Sequence, residues 1–80
     1  MDKYQKELQR LKPEDEVQGT EDFKGYEFIG TAGHGYLVVP KEDKNYSIAQ
    51  KIISYGYKGD LAVYLEEDCE AGEFLTAIKL

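Results

Sequence analysis

The sequence predicts an α+β domain, a small antiparallel sheet of about four strands with helices on one face, in the order α-β-β-α-β-β-α. Three observations carry this expectation. Leu61, Val63 and Leu65 alternate with Ala62 and Tyr64, the two-residue period of a strand. Both ends of the chain instead repeat apolar residues at spacings of three and four, the period of a helix. Between them, the run Tyr36–Val39 is apolar at every position and is bounded by glycines and by Pro40. Such a run belongs to a central strand covered on both sides.

Each element follows from local signals. Asp2 can cap a helix whose stripe is Tyr4, Leu8 and Leu11, and Pro13 stops it. Residues 13–25 (PEDEVQGTEDFKG) are acidic and poor in large apolar groups, so they read as a loop or linker. The division expected is therefore residues 1–24 as N-terminal helix and acidic linker, and residues 25–80 as the compact domain. Tyr26–Gly30 is a first strand, with Tyr26 and Phe28 on one face. Thr31–Gly35 is a turn, because Gly33 and Gly35 tolerate positive φ. Tyr36–Val39 is the second strand. Tyr46–Ser54 is helical, with Ile48, Ile52 and Tyr55 sharing a face. Tyr55–Lys58 and Leu61–Leu65 flank the turn-forming pair Gly59-Asp60 and make a hairpin. The last helix runs from about Cys69 to Lys79, capped by Asp68, with Ala71, Phe74, Leu75 and Ile78 as its stripe.

Composition narrows the function classes. A chain of 80 residues buries only roughly 60% of its unfolded surface, so its core is small. A hydrophobic content of 41%, with seven Tyr and three Phe, is nonetheless enough for a globular core. One cysteine cannot form an intramolecular disulfide, and no long apolar run or leader-like segment is present. The expected setting is cytoplasmic, without membrane contact. Ten basic residues against sixteen acidic ones argue against direct nucleic-acid binding, which needs a basic face. The first twelve residues are net basic, so the rest of the chain carries the whole acidic excess.

Two short segments hold the chemistry. TAGHGYLVVP contains the single histidine, His34, and YLEEDCEAGEFL contains the single cysteine, Cys69. The glycines at 30, 33 and 35 do not follow the dinucleotide pattern, and a strand follows them where a phosphate loop needs a helix N-terminus. One His and one Cys are a poor zinc set, and the acids at 66–68 lack the alternating oxygen spacing of a calcium loop. Neither a metal nor another cofactor is expected. The four carboxylates around Cys69 argue against nucleophilic catalysis by its thiol.

An acidic face fits better. Glu66, Glu67, Asp68, Glu70 and Glu73, together with the acids at 14–16, 21 and 22, can present a surface that occupies a basic groove on another protein. The tyrosines add to it. A small sheet cannot bury six phenols with their hydroxyls satisfied, so Tyr36, Tyr57 and Tyr64 are candidates to point outward, and His34, exposed at the turn apex, is a further candidate for partner contact. The expected partner is a larger protein with a basic surface.

The pair HGYLVVP … YLEEDCEAGEFL resembles a motif shared by small uncharacterised proteins of bacteria and their phages, in which a His-Gly-Tyr-Leu strand precedes a Tyr-Leu-Glu-Glu-Asp-Cys helix start. The likeness covers roughly residues 26–76 and carries no catalytic residues with it. It implies that His34 and Glu66–Cys69 belong together. A phage setting would favour small acidic inhibitors of a host defence or nucleic-acid-handling protein.

The resulting expectation is a non-enzymatic protein-binding regulator or inhibitor. One alternative is a small hydrolase or metal-dependent enzyme using His34 with Asp68 or Glu67, joined by Cys69. Another is a homo-oligomeric accessory domain, paired through the N-terminal stripe and exposed tyrosines.

Overall fold

The computed structural model describes residues 1–79; residue 80, the end of the expected compact domain, lies outside the described residues. The elements are α1 (Lys3–Leu11), β1 (Val17–Phe23), β2 (Tyr26–Thr31), β3 (Gly35–Pro40), α2 (Tyr46–Ile52), β4 (Tyr57–Lys58), β5 (Ala62–Glu66) and α3 (Glu70–Ala77). They form an α+β fold around one antiparallel sheet of order β1-β2-β3-β5-β4.

Five strands replace the expected four, and the element order becomes α-β-β-β-α-β-β-α. The added strand is β1, in the segment read as acidic linker. It pairs with β2 through a two-residue turn in which Lys24 and Gly25 both take positive φ, 53° and 89°. A turn of that kind matches the twist of the flanking strands. Strand β1 is polar because it lies at the sheet edge, mostly exposed, and therefore carries no apolar run to announce it.

The helices also depart from expectation, since they cover both faces of the sheet. On one face α2 and α3 bury Tyr26, Leu37, Val39, Ala49, Val63, Leu65, Ala71 and Phe74. On the other, α1 seals Leu8 against Ile29, Tyr36, Val38, Ala62 and Tyr64. Residues 36–39 are completely buried, as an apolar run covered on both sides requires. The two-sided burial has a direct consequence: tyrosines facing away from α2 and α3 still enter a core.

The cap at the start of α1 forms as the sequence indicates. Asp2 Oδ1 accepts the Gln5 amide at 2.8 Å, and Gln5 Oε1 accepts the Asp2 amide at 2.9 Å. At α3 the capping position is Cys69, not Asp68, and its side chain makes no cap bond. No helix among the described residues is long and apolar enough to cross a membrane.

Candidate functional site

Three buried carboxylates tie the elements together. Glu7 on α1 accepts the Asp60 amide at 2.7 Å, the Leu61 amide at 3.1 Å and the Tyr64 hydroxyl at 2.6 Å. Burial pushes its carboxyl up, but the bonds from Tyr64, Leu61 and Asp60 outweigh it and hold Glu7 below the usual carboxylate range. Glu70, at the start of α3, receives the amides of Ser54, Tyr55 and Gly56 and also that of Glu66. It thereby fastens the α2–β4 connection to the end of β5.

Asp15 is the third. It accepts the Thr31 hydroxyl at 2.7 Å and the Gly33 amide at 3.0 Å, and it meets His34 Nδ1 at 3.2 Å and Lys12 Nζ at 3.9 Å. The Thr31 hydrogen bond leads the groups that hold Asp15 below its ordinary range. Lys12 also donates to the Tyr36 hydroxyl at 3.5 Å and lies 5.8 Å from the centre of the Tyr57 ring.

The residues expected to form one binding face are thus divided. Tyr36 and Tyr64 are fully buried beneath α1, and Tyr57 is half-buried beside them. The exposed aromatic surface expected from Tyr36, Tyr57 and Tyr64 does not exist in this form, because α1 covers the sheet face they occupy. Glu70 is also buried and spent on backbone amides. Glu66 pairs across from Tyr36 on the α1 side, whereas Glu67 reaches the opposite side; Asp68 and Glu73 are exposed.

His34 is exposed, with its ring tilted 6.2 Å from that of Tyr36. Its hydrogen-bonding partner is Asp15, which sequence spacing gave no reason to pair with it. Among the described residues His34 makes no hydrogen bond or ion pair with Glu67, Asp68 or Cys69. No group of three or more His, Cys, Asp or Glu able to hold a metal occurs among those residues.

The structure places a different feature on the α3 side of the sheet. A groove of about 300 Å³ runs between the β1–β2 ribbon and α3, lined by Phe23, Phe28, Leu37, Ala71, Gly72 and Leu75, with Glu21 and Glu67 at its sides. Phe23 is 43% exposed there, and its ring lies 6.4 Å from that of Phe28. Beyond Phe28 the groove opens into a second concavity over Gly19 and Gly30.

Glycines create this opening. Gly19, Gly30 and Gly35 sit opposite one another on β1, β2 and β3, so one rung of the sheet has no side chains. The Phe28 ring fills the gap at Gly35, where an added Cβ would come within 2.4 Å of Phe28 Cζ and 3.2 Å of a Glu67 carboxylate oxygen. Nothing lies within 4 Å of a Cβ built on Gly19 or Gly30. Two thirds of the rung is therefore an open floor, bounded by an aromatic wall and two carboxylates. Sequence reasoning missed it because the three glycines align only once the register is known.

No protein-family model, curated protein or solved structure matches the chain.

Proposed function

We propose that the protein is a small acidic, non-enzymatic regulator or inhibitor that binds a larger protein with a basic surface, and that it does so through the groove between the β1–β2 ribbon and α3. The observation that carries this reading is the placement of Glu21 and Glu67 beside an apolar channel containing the exposed Phe23 ring. Apolar lining supplies affinity, and paired carboxylates at the rim select the charge of what enters. Glu7, Glu70 and Asp15 are committed to holding the fold, so the acids left to face a partner are the exposed ones. Phage origin and a host defence or nucleic-acid-handling target remain part of the proposal through the resemblance of the HGYLVVP and YLEEDCEAGEFL segments.

The hydrolase alternative has less support. Neither groove segment is lined by His34 or Cys69, and the ring of His34 bonds to Asp15 and to neither Glu67 nor Asp68.

The test is selection of a random peptide library on the immobilised protein, followed by competition with the folded double variant Glu21→Lys/Glu67→Lys. Enriched peptides should be rich in Lys, Arg and large apolar residues, and the double variant should fail to capture them. Equal capture by a folded double variant would refute the acid-rimmed groove.

A further inference from the structure

We infer that β1 is a docking edge for an extended segment of the partner, which adds to the sheet as a sixth strand with basic side chains toward α1 and a bulky apolar side chain on the Gly19–Gly30 floor. This rests on the protein-binding reading above and specifies its mode and its ligand.

The first argument is backbone availability. Strand β1 ends the sheet, spans seven residues and contains no proline. The Thr31 amide donates to the His34 carbonyl at 2.8 Å, which turns the backbone of Thr31 toward β3. Alternation along β2 then turns Ile29 to β3 and Phe28 and Gly30 to β1, where they meet Glu21 and Gly19. Between those pairs, Thr20 and Asp22 direct their amides and carbonyls away from the sheet. These groups match the spacing of an incoming strand.

Side-chain chemistry then selects the occupant. Thr20 and Asp22 share the α1 side of the ribbon with their partners Ile29 and Glu27. A shallow concavity there is lined by Asp2, Thr20, Asp22 and Glu27, with Glu21 and Gly25 also bordering it. Alternate residues of an added strand would face the carboxylates of Asp2 and Asp22, which calls for Lys or Arg. The residues between them would face the other side, where the glycine floor, Phe28 and Phe23 accept a large apolar group and Glu21 borders it. A bulky side chain laid over a paired glycine also shields backbone that nothing else covers.

The same charges reject a second copy of the chain. Self-pairing of β1 would bring Glu21 and Asp22 of both strands together, on molecules that each carry a net charge of −6. Like charges along paired edges are a common guard against such pairing. The guard against self-association is thus the selector for a basic strand.

The probe is a nine-residue synthetic peptide alternating lysine with valine and bearing a central phenylalanine, with a glutamate-for-lysine twin as control. Two further versions carry backbone N-methyl groups on alternate residues, one set on the edge facing β1 and the other on the opposite edge. Binding is followed by NMR titration and by hydrogen exchange at the Thr20 and Asp22 amides.

Strand addition predicts that the lysine peptide binds, weakens by about tenfold or more as salt rises from low to high, and protects both outward amides. One N-methyl pattern should abolish binding and the other should leave it intact. Thr20→Pro, which removes an outward amide at an edge where proline is tolerated, should also abolish it.

Equal binding by both N-methyl versions would overturn strand addition while leaving the groove reading in place. So would binding without protection of Thr20 and Asp22. Equal binding by the glutamate twin would overturn the charge selection, and no binding by the lysine peptide would overturn the proposal outright. The library selection then decides the groove reading separately.

Discussion

The Glu7 carboxylate on α1 accepts the Tyr64 hydroxyl on β5 at 2.6 Å, inside the core that α1 makes with the sheet. That bond explains how a small sheet buries a phenol on the face expected to be open. The hydroxyl keeps a partner, and burial together with the Glu7 bond pushes its ionisation upward. The two amides of the β4–β5 turn that converge on the same carboxylate make Glu7 the point where α1 is fastened to the far hairpin.

Glu7→Ala should therefore be among the most damaging single changes, costing about 2–4 kcal/mol because buried donors lose their acceptor. Tyr64→Phe should cost less, about 1–2 kcal/mol, since it removes one bond and leaves the carboxylate with its amides. Urea unfolding of the two variants checks the ranking; a Glu7→Ala protein as stable as the parent would contradict it. Because the folded state holds Glu7 below its ordinary 4.5, its contribution is present above that pH and fades as pH falls through the folded value.

A second carboxylate should act locally. Glu70→Ala should release the amides of Ser54, Tyr55 and Gly56, at about 1–3 kcal/mol. Hydrogen exchange should accelerate at those three residues while the β3 amides stay protected. Uniform acceleration across the sheet would mean that Glu70 supports the global fold and not the α2–β4 connection.

Glu27 should give the opposite pH dependence to Glu7. Burial, followed by the contact with Asp2, raises its carboxyl from 4.5 to about 7, and one buried oxygen has no hydrogen-bonding partner among the described residues. A raised folded value means that stability from this group is complete below about pH 4.5 and is lost as pH climbs through about 7. Glu27→Gln should remove that loss and exceed the parent at pH 8 by about 1–2 kcal/mol, a figure reduced for partial solvent screening. Thermal unfolding at pH 5 and pH 8 tests this. A difference between variant and parent that is the same at both values would remove Glu27 as its source.

The glycine rung separates two kinds of substitution. Gly35→Ala should destabilise by about 1–3 kcal/mol, because its methyl group would displace the Phe28 ring from the sheet. Gly30→Val meets open space and gains strand preference, so the protein should fold at least as well as the parent. The same valine fills the floor of the groove and should weaken capture of library peptides. Normal capture by Gly30→Val would show that the floor is not used.

By itself the sequence determined the elements whose signals are local. The capped stripe of α1, the apolar run of β3, the alternation of β5 and the stripe of α3 each show their period within a few residues, and each forms near its expected bounds. The all-apolar run at 36–39 even indicated a strand covered on both sides. Strand β1 left no such trace, because an edge strand exposed along most of its length needs no apolar face, and Lys-Gly is a weaker turn signal than Asn-Gly or Asp-Gly. Tertiary structure alone decided which face α1 covers, and with it the burial of Tyr36 and Tyr64. It also decided that Asp15 finds His34, that Glu70 turns inward, and that Gly19, Gly30 and Gly35 fall on one rung. Those relationships depend on strand register and on charges meeting across more than ten residues of chain, which no local period encodes.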